Sequence, residues 1–227
     1  MISMKKSRRK KDMAINGVMA KWYDKNTRKS RLAEMNEYAD VVSFNAQAGA
    51  EVLEVAPGPG YLSIELARRG FVVTGLEISE DFVAIEKRNA KEADVRVDFL
   101  QGNASALPLA DCTFDFIICS AAFKNFKEPL KAMNEMHRVL KPDGRALIID
   151  MNNDATKEDI EAEIQKSDMK GFDRWFVKLS FKTFLKSGAY TKAGFEELIA
   201  QTPFLSHKIE KHGIGFYVWL YKERQSQ

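Results

Sequence analysis

The sequence predicts an α/β fold in which helices cover both faces of a mostly parallel, doubly wound sheet. Between about positions 50 and 150, short apolar runs alternate with helical segments. The runs are apolar almost throughout, as expected for strands that are buried on both faces. Strands and helices that alternate in this way favour right-handed crossovers between parallel neighbours.

The elements follow one another in a regular order. An amphipathic helix is predicted from about Lys29 to Ala48 by the spacing of its apolar residues. After it, the predicted strands are AEVLEVA, FVVTGLEI, VRVDFLQG, FDFIICSAAF and RALIIDM. The helical segments between them are GYLSIELARR, EDFVAIEKRNAKEA and EPLKAMNEMHRVL. In LKPDG, Pro142 and Gly144 end the last of these helices and lead into the next strand.

The pattern changes after Asp150. A polar stretch opens a helical insertion, 152–190, and the helix TKAGFEELIAQ comes after it. The segment HKIEKHGIGFYVWLYK then contains two strand-like runs joined at Gly213. That turn is short enough to force an antiparallel hairpin, so an otherwise parallel sheet is predicted to end in a reversed strand.

The positive charge is concentrated at the N-terminus. The chain has a formal net charge of +3, and KKSRRKK at 5–11 carries six positive charges, which leaves −3 for the rest. We interpret residues 1–19 as a basic, solubilising tail and 20–227 as a single domain. An acidic domain argues against nucleic acid as a partner, although such a tail is also able to tether a protein to nucleic acid or to anionic lipid.

The composition excludes several classes of protein. No apolar stretch approaches the roughly 18 to 20 residues of a membrane span, and the N-terminus lacks the apolar core of a secretory signal. Cys112 and Cys119 provide neither a disulfide framework nor a zinc signature, and no metal site is predicted. We therefore expect a cytoplasmic, globular protein with reduced cysteines.

A glycine-containing turn follows the first predicted strand, in EVLEVAPGPGYLSIELA. Gly58 and Gly60 lie where ligands of open α/β sheets bind, beyond the carboxyl end of a strand. A dinucleotide site requires a third glycine for close helix packing, and Ser63 occupies that position. The turn by itself does not choose between flavin, nicotinamide and other nucleotide ligands.

Three polar features narrow the choice of ligand. Glu54 lies at the end of the first strand, where an acidic group either orders the loop or meets a positively charged ligand. Glu77 ends the second strand, where a carboxylate accepts hydrogen bonds from both ribose hydroxyls. Asn103 and Ala104 follow the third strand.

The segments EVLEVAPGPG, GLEIS, QGNASALPL, FDFIICSAAF and RVLKPDGRALI, in this order and spacing, resemble class I S-adenosylmethionine-dependent methyltransferases. The resemblance is to the small-molecule subgroup, methyltransferase type 11, which includes ubiquinone and menaquinone biosynthesis enzymes. It covers roughly 20–150, and the closing helix and hairpin extend it towards the C-terminus. It implies a Rossmann-like, seven-stranded sheet in the order 3-2-1-4-5-7-6. The helical insertion 152–190 precedes the last helix, and an insertion in that position is able to cover the pocket as a lid.

The resemblance also implies which residues bind S-adenosylmethionine. Tyr23, in AKWYDK, would lie over the sulfonium, and Glu77 would hold the ribose. Ile78, Asn103 and Ala104 would contact the adenine. The remaining contacts, around the methionine part and on the opposite side of the pocket, would come from Glu54, Ala56, Gly58, Gly60, Ser120 and Phe123.

The chemistry of this cofactor agrees with the residues present. S-adenosylmethionine has no phosphate, so a helix N-terminus adapted to pyrophosphate is not required. Its ribose, adenine and sulfonium cation suit carboxylates, a backbone carbonyl and an aromatic ring.

Methyl transfer from a sulfonium is an in-line displacement that depends mainly on positioning and on exclusion of water. A base is required only for an acceptor that must lose a proton early, such as a phenol or an activated carbon. The candidates are Tyr23, Lys124 and Asp150, which are all expected near the carboxyl edge of the sheet.

The sequence leaves the acceptor open. SAAF after the fourth strand differs from the Asp/Asn-Pro-Pro turn of enzymes that methylate base amino groups, and KNFKEPL lacks the histidine segment common in quinone methyltransferases. In 170–186, basic residues recur every fourth position beside an aromatic face. There are three interpretations of this segment. The preferred one is a helix packed on the domain, the second is a lid over an apolar or anionic acceptor, and the third is a contact with a membrane surface.

We interpret the protein as a methyltransferase that acts on a small, partly apolar molecule. The alternatives are methylation of an RNA or protein docked by the basic tail, a non-catalytic S-adenosylmethionine-binding protein, and a nicotinamide oxidoreductase, which Ser63 disfavours. The sequence does not determine an oligomeric state.

Overall fold

The computed structural model describes residues 14–166 and 188–223. Its strands are β1 (Glu51–Val55), β2 (Val72–Glu77), β3 (Asp98–Gln101), β4 (Phe114–Ser120), β5 (Leu140–Met151), β6 (Ser206–His212) and β7 (Gly215–Tyr221). Its helices are α1 (Val18–Ser30), α2 (Leu32–Asn45), α3 (Tyr61–Arg68), α4 (Glu80–Glu92), a 3₁₀ turn (Phe123–Asn125), α5 (Pro129–Val139), α6 (Lys157–Lys166) and α7 (Lys192–Ile199). The predicted lid and the basic–aromatic stripe at 170–186 fall largely or wholly outside the described residues.

The seven strands form one sheet in the order β3-β2-β1-β4-β5-β7-β6. β1 to β5 pair in parallel, whereas β7 runs antiparallel to both β5 and β6. The predicted fold class, strand order and reversed C-terminal strand are therefore confirmed. Because β1, β2, β4 and β5 are parallel, their carboxyl ends meet at one edge of the sheet.

Each central strand is buried on both faces. In β1, Leu53 belongs to the cluster on one face, whereas Val52 belongs to the cluster on the other. In β5, Ile148 belongs to the same cluster as Leu53, and Leu147 belongs to the same cluster as Val52. Successive side chains of a strand point to opposite faces, so two apolar layers require strands that are apolar throughout.

The N-terminal region differs from the prediction. The helix predicted from about Lys29 to Ala48 is α2, which begins at Leu32, and α1 precedes it. The two helices meet at Arg31, whose φ and ψ are −122° and 4°. The sequence of α1 is rich in polar residues, which concealed its periodicity. It begins at Val18, two residues before the predicted start of the domain.

Polar contacts fix α1 to the rest of the domain. Asp24 is buried and accepts hydrogen bonds from Tyr61 of α3 and from Asn89 of α4, at 2.7 and 3.1 Å. Arg88 of α4 forms an ion pair with the same carboxylate at 2.6 Å. Upstream, the backbone N–H of Gly17 donates to Asp81 at 2.7 Å. The helix is thus anchored to α3 and α4.

The segment LKPDG adopts an unexpected conformation. The sequence predicts a turn between a helix and a strand, whereas β5 begins at Leu140 and includes Pro142 and Gly144. The pairing register with β4 shifts between Phe114 and Phe116. A Cβ at Gly144 would lie 2.9 Å from the carbonyl oxygen of Lys141 and 2.8 Å from Leu140 Cδ2. The segment is therefore an irregular strand start that only glycine accommodates.

The C-terminal hairpin agrees with the prediction. β6 and β7 pair from Ser206↔Tyr221 to His212↔Gly215, and Gly213 adopts a φ of +54° in the turn. No helix among residues 14–166 and 188–223 is both long and apolar enough to cross a membrane.

We predict that Gly75→Ala destabilises the fold. Gly75 lies in β2, where an added Cβ would lie 2.6 Å from Cδ1 of the Phe99 ring. Overpacking of this kind costs about 1 to 3 kcal/mol. Urea unfolding measures the loss, which should shrink in a Phe99→Leu background. An equal loss in both backgrounds would show that the ring is not the cause.

Candidate active site

A cavity of about 1030 Å³ lies at the carboxyl edge of the sheet. The ends of β1, β2, β4 and β5 form its floor, and α1, α2 and the hairpin turn contribute its other walls. Ligand pockets of roughly 300 to 1000 Å³ are typical of small-molecule sites. This cavity therefore has room for a nucleoside-sized molecule and for part of a second molecule.

The turn between β1 and α3 is held in a left-handed backbone conformation. Ala56 and Gly58 have φ values of +59° and +60° and both line the cavity. The backbone N–H of Ala56 donates to the carbonyl of Leu76 at 2.8 Å, which fixes the turn beside β2. A residue other than glycine in this conformation is strained, and such strain is concentrated at functional sites.

Gly60 has a structural role at the start of α3. It caps α3 with a φ of +80° and does not line the cavity. A Cβ there would lie 3.1 Å from both Glu86 Cγ and Phe99 Cζ. This glycine therefore allows α3 to pack closely against α4 and β3, and its contact with the cofactor stays a prediction.

Glu77 connects the glycine turn to the start of α4. Its carboxylate is buried and accepts hydrogen bonds from the backbone N–H groups of Gly58 and Ser79, at 3.2 and 2.9 Å. Burial raises the pKa of Glu77, and these hydrogen bonds oppose that increase. The side chain also lines the cavity. A carboxylate has about four lone-pair positions, so two backbone bonds leave capacity for a ligand's hydroxyls.

Glu54 is buried at the end of β1 and lines the same cavity. Its carboxylate accepts a short hydrogen bond from the hydroxyl of Ser63, which is itself buried in α3. Burial raises the pKa of Glu54 to about 7 despite this hydrogen bond, and the negative charge of Glu77 acts in the same direction. Ser63, at the position of the absent third glycine, thus orients a cavity carboxylate.

Further residues of the predicted set lie where β2, β3 and β4 end. Ile78, Asn103 and Ala104 all line the cavity. The side-chain oxygen of Asn103 accepts the backbone N–H of Ser105 at 2.8 Å, which holds the loop after β3. Ser120, the last residue of β4, lies on the opposite side of the cavity.

Phe123 does not reach the cavity. Its ring is fully buried and packs against Phe126, Tyr190 and Phe195, with ring centroids 5.3 to 5.8 Å apart. This corrects the expectation that Phe123 closes the cofactor pocket. The chain turns at Ala121, two residues earlier, where φ is +56°, and the Phe123 ring belongs to the buried apolar cluster on one face of the sheet.

Tyr23 lies above the glycine turn. A Cβ at Gly58 would lie 3.9 Å from Tyr23 Cε1, and the ring packs edge-on against Phe82 with centroids 5.8 Å apart. The hydroxyl accepts a hydrogen bond from Arg31 at 3.1 Å. An aromatic ring from α1 is therefore fixed over the turn that follows β1.

Lys124 and Asp150 meet at the end of β5. Asp150 is buried and accepts backbone N–H groups of Lys124 and Met151, each at 2.7 Å. The Lys124 ammonium lies 3.7 Å from Asp150 Oδ1, and both residues line the cavity. Burial raises the pKa of Asp150, and the positive charge of Lys124 opposes that increase. The two backbone hydrogen bonds thus fix the Asp150 carboxylate, and the Lys124 ammonium lies beside it at the cavity wall.

The sequence analysis missed a polar network at the junction of α1 and α2. Arg31 forms a two-point ion pair with Glu34, at 2.7 and 3.2 Å, and Tyr38 donates to the same carboxylate. Burial and the adjacent Glu34 carboxylate raise the pKa of the Tyr38 hydroxyl. All three residues line the cavity. Their spacing of three and four residues is that of one helix face, but it gave no sign of what that face would contact.

The hairpin turn adds an aromatic pair that was also missed. His212 and Tyr217 stack with ring centroids 4.5 Å apart, and Tyr38 meets Tyr217 edge-on at 6.4 Å. Both members of the pair line the cavity. Burial raises the pKa of Tyr217 to about 12, and the nearby carboxylates of Glu37 and Glu34 add to the increase. No local pattern in the strand sequence marked these residues as cavity walls.

Glu86 is a third buried carboxyl group close to the glycine turn. It is fully buried, and neither carboxyl oxygen has a hydrogen-bond partner among the described residues. Burial raises the pKa of Glu86 to about 10, and repulsion by Glu77 and Glu54 contributes. The side chain is therefore a neutral acid at physiological pH. Among the described residues, no cluster of His, Cys, Asp and Glu is arranged to hold a metal ion.

Part of the chain is similar to known methyltransferases. Residues 53–148 match the family model described as "Methyltransferase domain". A demethylmenaquinone methyltransferase of Renibacterium salmoninarum is 36% identical over 113 residues, which cover 50% of this chain and 46% of that protein. A demethylmenaquinone methyltransferase of Thermus thermophilus is 35% identical over 106 residues, which cover 46% of this chain and 48% of that protein. The chain thus spans about half the length of the curated relatives it matches.

Solved structures extend the similarity of fold to the whole chain. A putative S-adenosylmethionine-dependent methyltransferase from Methanococcus maripaludis has a TM-score of 0.71 at 22% identity, covering 100% of this chain and 99% of that one. A second S-adenosylmethionine-dependent methyltransferase, from Aquifex aeolicus, has a TM-score of 0.64 at 20% identity and covers 88% of this chain and 95% of its own. The predicted resemblance to class I methyltransferases of the quinone-biosynthesis type is confirmed.

We predict that Glu86 makes the protein less stable as the pH rises. The unfolded glutamate ionises near its ordinary pKa of 4.5, whereas the folded one keeps its proton up to about pH 10. Folding therefore becomes less favourable across that interval. Glu86→Gln stays neutral, so its melting temperature relative to wild type should increase from pH 5 to pH 8. The control is Glu197→Gln, which changes an exposed glutamate. If the melting temperatures of wild type and Glu86→Gln change in parallel with pH, the prediction is contradicted.

Proposed function

We propose that the protein transfers a methyl group from S-adenosylmethionine to a small, partly apolar acceptor, and the match of residues 53–148 to the family model "Methyltransferase domain" supports this. The observation that carries this proposal is the pair of buried carboxylates, Glu54 and Glu77, on the floor of one cavity beside the glycine turn. Buried carboxylates without a cationic partner suit a ligand that is itself positively charged and carries hydroxyl groups.

The residues present suit this cofactor. Glu77 would accept hydrogen bonds from the ribose, and Ile78, Asn103 and Ala104 would surround the adenine. The methionine part would lie against the left-handed turn and the end of β4, where the lining residues are Glu54, Ala56, Gly58 and Ser120. When bound, the cofactor supplies an electrophilic methyl group on a sulfonium. The similar solved structures, which are described as S-adenosylmethionine-dependent methyltransferases, agree with this cofactor.

The role of this chain in the transfer is to position the reactants and exclude water. Tyr23 covers the glycine turn, and its electron-rich ring suits the neighbourhood of a sulfonium. Lys124, held beside Asp150, places a positive charge where an acceptor oxygen would lose its proton. We favour Lys124 as the group that stabilises an anionic acceptor, because its ammonium attracts a negatively charged oxygen, which the Asp150 carboxylate would repel.

The relatives named demethylmenaquinone methyltransferase suggest a quinol-like acceptor. The side of the cavity away from the glycine turn supports this class, because it contains the aromatic pair His212 and Tyr217 together with Met35 and Ile214. A planar aromatic ring could pack against that wall with an ionised oxygen directed towards Lys124. Methylation of a macromolecule docked by the basic tail stays a prediction, because residues 1–13 lie outside the described part of the chain.

We further propose that residues 20–227 act as one domain in the cytoplasm, where both cysteines would stay reduced. The part played by 152–190 in acceptor choice stays a prediction.

The direct test is methyl transfer by the purified full chain to a soluble demethylnaphthoquinol. Mass spectrometry should detect the methylated product together with S-adenosylhomocysteine. Tight cofactor binding without transfer to any acceptor class would favour a non-catalytic binding protein. Tighter binding of a nicotinamide dinucleotide than of S-adenosylmethionine would favour an oxidoreductase.

Glu77→Ala should weaken S-adenosylmethionine binding by about 1 to 3 kcal/mol, which corresponds to roughly 5- to 150-fold, because hydrogen bonds to a charged group are lost. Isothermal titration calorimetry measures the affinity. Glu197→Ala removes an exposed carboxylate of α7 and is the matched control. Wild-type affinity in a folded Glu77→Ala protein would remove Glu77 from the site.

Cofactor affinity should increase between pH 6 and pH 8. Glu54 has a pKa of about 7, so it becomes a carboxylate over this interval and attracts the cationic ligand more strongly. Glu54→Gln, which cannot ionise, should lose that part of the pH dependence. If cofactor affinity depends on pH identically in wild type and Glu54→Gln, Glu54 does not interact with the positive charge of the ligand.

A further inference from the structure

The outer face of α1 exposes large apolar side chains. Val18, Met19 and Trp22 have exposed fractions of 84%, 63% and 61%. The helix is held to the domain by its opposite face, where Ala20 and Asp24 are buried. Isolated exposed apolar residues are ordinary on protein surfaces, but three within five positions of one helix form a patch.

The patch continues into a basic stripe. With about 100° of rotation per residue, Val18, Trp22, Lys25 and Lys29 fall within an arc of roughly 60° on one side of α1. Lys25 and Lys29 are exposed, and neither pairs with an acidic group among the described residues. The acid within α1, Asp24, is buried against Arg88. The outer face is therefore apolar in its first half and purely basic in its second.

The sequence around α1 adds to this charge. The block 5–11 contributes six further positive charges shortly before Val18. A surface that combines tryptophan, aliphatic side chains and lysines is typical of helices that lie in a bilayer interface. Lysines near anionic lipid contribute about 1 kcal/mol each to such binding. A nucleic acid would pair with the lysines but would leave Val18 and Met19 exposed to water.

We propose that the outer face of α1 docks on a bilayer surface that contains anionic phospholipid. Val18, Met19 and Trp22 enter the interface, and Lys25 and Lys29 lie near lipid phosphates. The opposite side of the same helix carries Tyr23, which lines the cavity. Docking thus brings α1, which contributes one wall of the cavity, into contact with the membrane. The docking itself does not depend on the proposed methyl transfer.

The test is sedimentation of the full chain with vesicles of phosphatidylcholine, alone or mixed with phosphatidylglycerol. We expect binding to the mixed vesicles that weakens with added salt, and weaker binding to phosphatidylcholine alone. The tryptophan emission should shift to shorter wavelength on binding, and this shift should be lost in Trp22→Phe. The absence of binding to mixed vesicles would overturn the proposal, as would tighter binding to a single-stranded RNA than to the vesicles.

Two sets of variants locate the surface. Val18→Ser with Met19→Ser and Trp22→Ser, and separately Lys25→Gln with Lys29→Gln, should each weaken vesicle binding at least about tenfold. The matched controls are Phe44→Ser, which removes an apolar side chain exposed to 92%, and Lys192→Gln with Lys208→Gln, which removes two exposed lysines elsewhere. Circular dichroism verifies folding. Equal losses in variants and controls would overturn the assignment to α1.

Discussion

Three buried glutamates around one left-handed turn form the central constraint of this structure. Glu54, Glu77 and Glu86 lie close enough to one another for each ionised carboxylate to disfavour ionisation of Glu86. Removing a carboxylate from water is costly unless hydrogen bonds or a cation compensate for it. Ser63 bonds Glu54, two backbone N–H groups bond Glu77, and Glu86 remains protonated. The site therefore has an excess of acceptors, which a cationic ligand that bears hydroxyl groups would satisfy.

The same constraint explains the composition of the turn. The chain must leave β1, pass beside the end of β2 and enter α3 within a few residues, which requires left-handed conformations at Ala56, Gly58 and Gly60. Gly60 has a second reason to lack a side chain, since α3 approaches Glu86 and Phe99 closely there. A third glycine is not needed, because Ser63 faces inward and bonds Glu54 instead of opening space for a pyrophosphate.

The cavity has two chemically different sides, joined by α1 and α2. One side contains the carboxylates, and the other contains the stacked His212 and Tyr217. Arg31 connects the two helices and the cavity wall, since it bonds both Tyr23 and Glu34. The break between α1 and α2 at Arg31 therefore places a guanidinium group where both helices contact the cavity.

Local pattern determined the sheet of this protein and the acidic side of its site. Runs that are apolar throughout required coverage on both faces, and the carboxyl ends of parallel strands must share one edge, so Glu54, Glu77, Asn103 and Asp150 were predictable as neighbours. The tertiary structure alone decided that Phe123 lies in the core, because its ring stacks on Phe195, which is distant in the sequence. It also decided that Arg31, Tyr38 and Tyr217 line the cavity. These residues come from elements far apart in the chain, and spacing within one element carries no information about what a neighbouring element will bring against it.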